Sequence, residues 1–169
     1  LGYKGEINRI VLENTWSENK ELTLFSLREW CLWDASDDML NFQRNFSTGQ
    51  GEVEGSAIFH KTEYRERRNH YAFFSVNTKV DGFDTQLEDF LGMYNGFDEP
   101  DVVASGVSKN TIADVWQPCA SHNIHVTLKP GEKRSFIFIL GYVEVPEDQK
   151  WEAPHVINKK PAREMIAKF

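Results

Sequence analysis

Residues 134–143 constrain the fold more than any other stretch, because they are apolar on both faces of a strand. Alternate residues of a strand point to opposite sides of a sheet. One face carries Phe136, Phe138, Leu140 and Tyr142, and the other carries Ile137, Ile139 and Val143. Such a strand belongs in the interior of a sheet that is covered on both faces. The pattern therefore predicts a layered β-sandwich.

The preceding residues predict a second strand, Ser121–Leu128, and a tight turn. Its apolar face holds His122, Ile124, Val126 and Leu128, and its other face holds Asn123, His125 and Thr127. Pro130 presets one backbone angle and Gly131 permits the next, so Lys129–Glu132 suits a reverse turn. We expect the two strands to form a hairpin.

Alternation and β-branched or aromatic residues predict four further strands, at Glu6–Asn14, Glu21–Trp33, Glu52–His60 and Asn69–Asn77. Between Asp81 and Gln117 the pattern gives way to Gly, Asp, Asn and Ser. We expect long loops there, with one helical turn at Thr85–Leu91. Loops of this length in a compact domain are often functional or form interfaces.

The final residues predict a helix with one apolar stripe. The stripe consists of Ala162, Met165, Ile166 and Phe169, and Asn158 and Pro161 suit the start of a helix. The stripe needs a partner, and we expect the intact protein to continue beyond Phe169. The chain also begins without Met, as a processed protein or a piece of a longer polypeptide would.

Composition limits the classes of function. A length of 169 residues suits one domain with a core, and a net charge of −7 argues against a nucleic-acid surface. It does not exclude a local phosphate site built on one or two Arg residues. Cys31 and Cys119 are too few for a disulfide framework or a zinc site, which favours a reduced, cytoplasmic protein. No apolar run approaches membrane-spanning length.

The sequence NFQRNFSTG at residues 41–49 is the strongest candidate site. An Arg with neighbouring amides and hydroxyls can hold phosphate or sugar oxygens through several directed hydrogen bonds. An aromatic ring two residues later can support the apolar face of a pyranose. The alternative is a surface loop in which the Arg has no function.

Other polar clusters favour structural roles. Asp37 and Asp38 are adjacent and face opposite ways on an extended chain, which suggests a turn or cap rather than acid–base chemistry. The mixed-charge run Glu63–Arg68 is typical of a solvated or ion-paired face. His122 lies on an apolar face and suits a hydrogen-bonded core residue. No metal site is predicted from the five histidines, His60, His70, His122, His125 and His155.

The aromatic residues have two interpretations. Trp16, Trp30, Trp33 and Trp116 could form a sugar-stacking surface, but large aromatic side chains in a sandwich more often belong to the core. The sequence shows no Ser/His/Asp arrangement, nucleotide-binding Gly loop or pair of catalytic acids in a recognisable context.

The chain resembles the amino-terminal β-sandwich region of the inverting disaccharide phosphorylases of glycoside hydrolase family 94, formerly glycosyltransferase family 36, which includes cellobiose phosphorylase. The likeness extends over essentially the whole chain. It lies in residues 29–54 and in Tyr3–Glu6, Phe59–His70, Gly92–Asp98, Leu140–Glu144 and Ile157–Lys160.

The resemblance implies a mainly β fold, an antiparallel supersandwich like that of galactose mutarotase, with a short C-terminal helix. Residues 1–154 would form a sandwich that lacks earlier strands and so exposes an edge. Residues 155–169 would begin a helical linker toward an absent (α/α)6 catalytic barrel. The resemblance gives Arg44 a phosphate contact and Phe46 a sugar contact. Gln43 and Asn45 lie beside them and could either bind sugar hydroxyl groups or brace the loop.

The resemblance also implies an activity. The parent enzyme would convert cellobiose and phosphate into α-glucose 1-phosphate and glucose with inversion. Its catalytic acid would be an Asp of the barrel, so this chain would contain no catalytic residue. It would need no cofactor or metal, since phosphate is a co-substrate, and it would be a cytoplasmic homodimer without nucleic-acid or membrane partners. The alternatives are a noncatalytic carbohydrate-binding module and a purely structural or interaction domain.

Overall fold

The computed structural model describes residues 4–31, 36, 49–61, 69–115 and 117–169, without the side chain of Val115. Eleven strands within these ranges form antiparallel sheets. In chain order they are β1 Gly5–Glu13, β2 Lys20–Glu29, β3 Gly49–Glu54, β4 Ala57–Lys61, β5 His70–Val76, β6 Gly82–Gln86, β7 Asp114–Val115, β8 Pro118–Leu128, β9 Lys133–Glu144, β10 Trp151–Ala153 and β11 Val156–Ile157.

The strands form two main sheets and a small ribbon. The larger sheet has the order β1-β9-β5-β4-β3-β7, the smaller has the order β2-β8-β6, and β10 pairs with β11. In the same described ranges, three short α-helices and one 3-10 turn accompany the strands: α1 Leu87–Leu91, α2 Asp101–Ser105, α3 Lys160–Ile166 and the turn Glu147–Gln149. The predicted antiparallel sandwich with a short C-terminal helix is confirmed. No helix in the described ranges is long and apolar enough to cross a membrane.

An inner core lies between the two main sheets. The smaller sheet contributes the predicted apolar face of β8, and the larger contributes side chains from β4, β5 and β9. The buried members are Ile58, Phe74, Val76, Ala120, Ile124, Val126, Leu128, Phe136 and Phe138. The rings of Phe74 and Phe138 stack with centroids 5.6 Å apart. Apolar burial of this kind is the main stabilising contribution in a sandwich.

A second core covers the opposite face of the larger sheet. It joins Phe59, Tyr71, Phe73, Ile139 and Val143 of the sheet to Ile157 of β11 and to Ala162 and Met165 of α3. Strand β9 is therefore apolar on both faces because it is covered on both faces, as predicted. The helical stripe finds a partner in this sheet, since Ala162 and Met165 are buried in the second core and Ile166 packs against it. Phe169 remains 42% exposed.

The predicted hairpin between β8 and β9 is wrong. The turn exists, with the Glu132 N–H donating to the Lys129 carbonyl at 3.0 Å and Gly131 at φ 72°. The two strands, however, enter different sheets: β8 pairs with β2 and β6, whereas β9 pairs with β1 and β5. Turn residues specify a reversal of direction, but the apolar faces decide which strands pair.

Two other strand predictions need correction. The segment predicted as one strand over Glu52–His60 is a hairpin of β3 and β4, in which Gly55 has φ 60° and Val53 opposes Ile58. Residues 82–84, expected to be loop, and residues 85–86, expected to begin a helical turn, form β6 because they pair with β8. The predicted helical turn is confirmed by α1 for Leu87–Leu91. Strand β2 ends at Glu29, and Trp33 lies outside the described residues.

Candidate functional site

The residues predicted to contact substrate lie outside the described residues. Gln43, Arg44, Asn45 and Phe46 belong to the 32–48 segment, of which the structure describes only Ser36. Asp37, Asp38 and the run Glu63–Arg68 also lie outside the described ranges. Both flanks of the 32–48 segment are described, and they locate the part of the sandwich to which it is attached.

Antiparallel pairing places these flanks at one end of the sandwich, which we call the loop end and define by Trp30, Gly49, His60 and His70. Strand β2 ends just before Trp30, β3 begins at Gly49, β4 ends just after His60, and β5 begins at His70. The strand register confirms that the ends of β3, β4 and β5 lie side by side, since Gly51 opposes His60 and Lys61 opposes Tyr71. The covalent attachments of the 32–48 segment therefore both lie at the loop end.

Trp30, Gly49 and His60 meet closely at this end. The Trp30 and His60 rings stack with centroids 5.4 Å apart and planes 8° apart. A Cβ atom on Gly49 would lie 1.9 Å from His60 Cε1, so no larger residue fits there without moving the ring. His60 is 4% exposed, and its Nδ1 has no hydrogen-bond partner among the described residues. Burial, and secondarily the nearby Lys150 charge, lowers the pKa of His60 from 6.5 to about 3, so the ring is neutral.

A cleft of about 310 Å³ opens at the loop end. Trp30, Leu140 and Tyr142 line it together with three charged residues, Lys4, Glu6 and Glu29. Aromatic rings beside carboxylates can bind a sugar, because the rings cover its apolar faces while the carboxylates accept from its hydroxyl groups. The sequence did not suggest this cleft, because its walls come from strands far apart along the chain.

A buried charge cluster lies on the outer face of β3 and β4. Glu52 accepts hydrogen bonds from Lys61 Nζ at 2.7 Å, from the Ile157 N–H at 3.1 Å and from the ammonium of Lys159. Burial raises the pKa of Glu52, but the hydrogen bonds from Lys159 and Lys61 outweigh it and hold the pKa below its ordinary value. Because Lys61 also donates to the His155 carbonyl, the cluster fastens the C-terminal segment to the larger sheet.

The remaining histidine and tryptophan predictions have mixed outcomes. His122 is a hydrogen-bonded core residue as predicted, with Nδ1 2.9 Å from Ser26 Oγ and Nε2 2.9 Å from the Ser56 carbonyl. Trp30 packs against the inner core, whereas Trp16 is 65% exposed. Trp33 and Trp116 lie outside the described residues. Within the described ranges, no group of three or more His, Cys, Asp or Glu side chains is arranged to hold a metal ion.

Comparison with known proteins decides the family. The profile described as "Glycosyl hydrolase 94, supersandwich domain" matches residues 1–169. The chain belongs to this family. The resemblance found in the sequence is thereby confirmed at the level of family and fold, and the sandwich described above is a supersandwich domain.

Curated relatives of the domain include two enzymes named N,N'-diacetylchitobiose phosphorylase. The one from Vibrio proteolyticus is 26% identical over 145 residues, and the one from Vibrio furnissii is 24% identical over 141 residues. Each match covers 83% of this chain but 18% of the relative, so the chain spans about a fifth of their length. A further relative is the cyclic beta-(1,2)-glucan synthase NdvB of Rhizobium meliloti (strain 1021), 24% identical over 82% of this chain and 5% of its own length.

Among solved structures, the domain is similar to a putative kojibiose phosphorylase from the human microbiome. The TM-score is 0.49 at 10% sequence identity, covering 98% of this chain and 16% of the other.

Proposed function

We propose that this supersandwich domain is part of an inverting disaccharide phosphorylase. The observation that carries the proposal is the match of the whole chain to the glycosyl hydrolase 94 supersandwich family, together with two relatives named as phosphorylases. The proposed reaction of the full-length protein is cellobiose plus phosphate to α-glucose 1-phosphate plus glucose. The names of the two relatives make N,N'-diacetylchitobiose the first alternative substrate.

The reaction requires one protein acid and one nucleophile. A phosphate oxygen attacks the anomeric carbon from the face opposite the glycosidic bond, and that bond breaks with its electron pair passing to the leaving oxygen. A carboxylic acid protonates the leaving oxygen as the bond breaks. The family resemblance assigns this acid to an Asp of a catalytic barrel outside the chain. The supersandwich domain would then bind substrate without taking part in proton transfer.

The substrate contacts proposed for the domain lie in the 32–48 segment. Arg44 would neutralise phosphate, because a guanidinium keeps its charge and offers a planar set of donors that matches phosphate oxygens. Phe46 would cover the apolar face of the sugar that is transferred, and Gln43 and Asn45 would donate to its hydroxyl groups. No cofactor is required, since phosphate is itself a substrate.

The assembly proposed with this activity has three parts. Residues 155–169 would lead from the sandwich of residues 1–154 toward an (α/α)6 catalytic barrel of the same polypeptide. The full-length protein would be a cytoplasmic homodimer. Sedimentation of the full-length protein at the mass of a dimer would support this assembly, and a monomer under assay conditions would contradict it.

A noncatalytic carbohydrate-binding module is the second candidate. The loop-end cleft supports it, because the cleft places aromatic rings beside carboxylates. This candidate predicts that cellobiose or a cello-oligosaccharide binds to residues 1–169 alone, whereas the phosphorylase proposal places essential contacts in the barrel. Calorimetric titration of residues 1–169 with both sugars distinguishes the two.

The phosphorylase proposal is tested with the full-length protein. Cellobiose and N,N'-diacetylchitobiose are incubated with and without phosphate, and the sugar 1-phosphate is measured. We expect product only with phosphate, and an Arg44→Ala variant should raise the phosphate KM or lower kcat/KM by about 100-fold. Arg9→Ala is the matched control, because Arg9 is exposed on β1 and contacts Ser135. Phosphate-independent cleavage would contradict the proposal, and equal effects of the two substitutions would contradict the role of Arg44.

A further inference from the structure

A buried polar cluster lies on the outer face of the smaller sheet. Asp84 of β6 opposes Ser121 of β8, and Gly82 of β6 opposes Asn123 of β8. Because residues two apart on a strand share a face, the side chains of Asp84, Ser121 and Asn123 point to the same side of the sheet. That side is opposite the inner core, into which β8 places Ile124. The three polar side chains are nevertheless buried, with exposed fractions of 0%, 0% and 3% in that order.

Residues 106–113 cover this polar face. The Gly106 carbonyl accepts a hydrogen bond from Asn123 Nδ2 at 3.1 Å. Ser108 lies over Gly82, where an added Cβ would be 2.8 Å from the Ser108 Cβ and 3.3 Å from its Oγ. Glycine at position 82 therefore leaves room for the Ser108 hydroxyl. We call the four polar residues that meet here the Asp84 cluster: Asp84, Ser108, Ser121 and Asn123.

The Asp84 carboxylate is buried without a positively charged partner. It accepts hydrogen bonds from the Lys109 N–H at 3.0 Å, from the Thr111 N–H at 3.4 Å and from Thr111 Oγ1 at 3.2 Å. The Lys109 ammonium lies 4.0 Å from Asp101 instead, and no Lys, Arg or His side chain of the described ranges pairs with Asp84. Burial raises the pKa of Asp84 by more than the nearby donors of Thr111, Ser108 and Lys109 lower it. Ser108 Oγ is close enough to contribute, although it falls short of hydrogen-bond geometry.

Two neutral oxygen atoms of the Asp84 cluster have free lone pairs. Asn123 Oδ1 and Ser121 Oγ have no hydrogen-bond partner within the described part of the chain. The bond from Asn123 Nδ2 to the Gly106 carbonyl fixes the amide, so Oδ1 cannot take the place of the nitrogen. Buried polar atoms in native proteins nearly always have a partner. The cluster therefore presents unused oxygen lone pairs beside one carboxylate.

We propose that the Asp84 cluster binds one monovalent metal cation, Na⁺ or K⁺, between the smaller sheet and residues 106–113. Carboxylate, amide and hydroxyl oxygens are the donors that hard cations prefer. One carboxylate neutralises one positive charge, whereas a divalent ion would leave a net charge buried. A water molecule could bond to the same oxygens, but it would leave the carboxylate charge uncompensated. A monovalent cation fits both the oxygens and the charge.

The cation would hold a segment that connects the two sheets. The Thr111 carbonyl accepts from the N–H of Thr85 at 3.1 Å and from its hydroxyl at 3.0 Å. The Ala113 carbonyl accepts from the Gly51 N–H of β3 at 2.9 Å. Residues 106–113 are thus bonded to β6 of the smaller sheet and to β3 of the larger one. A cation beneath them would stabilise this connection.

Hydrogen exchange in the full-length protein tests the proposal without a measurement of activity. Exchange is followed by mass spectrometry in sodium, potassium and tetramethylammonium chloride at equal ionic strength. The peptides that contain Lys109 and Thr111 report on the site, because both N–H groups donate to Asp84. We expect at least one alkali salt to slow their exchange by about tenfold, since a ligand that binds the closed form opposes opening. Peptides from β9, in the larger sheet, should be unaffected.

Three variants locate the effect. Asp84→Asn removes the charge and should abolish the difference between salts. Ser121→Ala removes an oxygen that makes no hydrogen bond to a described residue, and should reduce the difference to about threefold or less. Thr127→Ala is the matched control, because it removes a hydroxyl from an exposed position on the same face of β8. It should retain the full difference.

A crystal structure of the full-length protein in the effective salt identifies the occupant. If K⁺ is effective, Tl⁺ in its place should give an anomalous peak in contact with Asp84 and Asn123. If Na⁺ is effective, its contacts to these oxygens should be shorter than hydrogen bonds. Equal exchange in all three salts would overturn the proposal, because a water molecule or a proton on Asp84 would then satisfy the site. A salt effect that persists in Asp84→Asn, or equal effects of Ser121→Ala and Thr127→Ala, would also overturn it.

Discussion

Two buried histidines are held neutral in different ways. His122 has both ring nitrogens within hydrogen-bond distance of oxygen atoms, whereas His60 is stacked on Trp30 and its Nδ1 has no partner in the part of the chain that the structure describes. Burial lowers the pKa of His122 to about 4, although its hydrogen bond to the Ser56 carbonyl opposes the shift, and burial lowers that of His60 to about 3. Protonation of either ring would therefore place a charge inside the sandwich.

We predict that the domain loses stability as the pH falls from 7 to 5. Both folded-state pKa values are below the ordinary value of 6.5, so the unfolded state binds protons first. The stabilisation is complete above about pH 6.5 and is lost as the pH falls toward the folded pKa values, at about 2 kcal/mol per histidine by pH 5. Urea unfolding of residues 1–169 at the two pH values measures the loss.

A variant that removes one of the two rings checks this prediction. His122→Gln should reduce the pH-dependent loss by about half, because it removes one of the two buried rings whose pKa is lowered. Equal unfolding free energies at pH 7 and pH 5 would contradict the prediction.

Residue contacts within one strand could be predicted, and contacts between strands could not. The period-two pattern of β8 was sufficient to place His122 in the core and His125 on the other face. The contact of Trp30, Gly49 and His60 depends on the pairing of β3 with β4 and on the approach of the two sheets. The spacing of these residues along the sequence does not indicate that they are in contact. Arg44 and Phe46 were identified from a sequence motif, and their roles in substrate binding stay a prediction.

A second residue-scale prediction compares two carboxylates on one face of β3. Glu52→Gln should destabilise residues 1–169 by about 3 kcal/mol, because it removes the carboxylate that pairs with the buried ammonium of Lys61 and leaves the buried ammonium of Lys159 only Glu152, at 3.9 Å. Glu54→Gln should cost less than about 1 kcal/mol, since its ion pair with Arg163 is half-exposed. Urea unfolding at pH 7 measures both. Losses of equal size would refute the structural role of the Glu52 cluster.

At the scale of elements, the turn at Lys129–Glu132 shows that turn residues can predict a turn without predicting which strands pair. Pro130 and Gly131 give a correct turn, and the strands on either side have nearly the predicted bounds. The pairing was wrong because β9, apolar on both faces, is most stable between β1 and β5, where the inner core and α3 cover it. Strand β6 was missed for a related reason, since its five residues carry no alternation and become a strand through β8.

Helix α3 provides the prediction at this scale. Met165 packs in the outer core and is 9% exposed, so Met165→Ala should cost about 2–4 kcal/mol of unfolding free energy. Phe169 is 42% exposed, and Phe169→Ala should change stability by less than about 0.5 kcal/mol. Chemical denaturation of residues 1–169 measures the difference. An unaffected Met165→Ala variant would show that α3 does not dock on the sandwich in solution.

At the scale of the whole molecule, the described sandwich exposes one pair of long edges. The larger sheet begins with β1 and the smaller with β2, and no other strand in the described ranges pairs on the far side of either. Ile7, Ile10 and Val11 on β1 are exposed apolar residues. Edges of this length readily accept another strand. The loop end differs from these edges because segments that connect strands lie there. Functional residues are more often found on such segments.

The sequence was sufficient to predict the two-layer architecture and the family, because both depend on patterns that extend over the whole chain. It could not predict the walls of the loop-end cleft, because these combine side chains from β1, β9 and the end of β2.

The most direct test of the central claim is the anomeric configuration of the phosphorylated product. The full-length protein is incubated with a β-linked disaccharide, cellobiose or N,N'-diacetylchitobiose, and phosphate, and proton and phosphorus NMR spectra are recorded during the reaction. The account predicts that an α-linked sugar 1-phosphate accumulates together with one equivalent of the free sugar. A β-linked phosphate, or free sugars alone at a rate independent of phosphate, would contradict it.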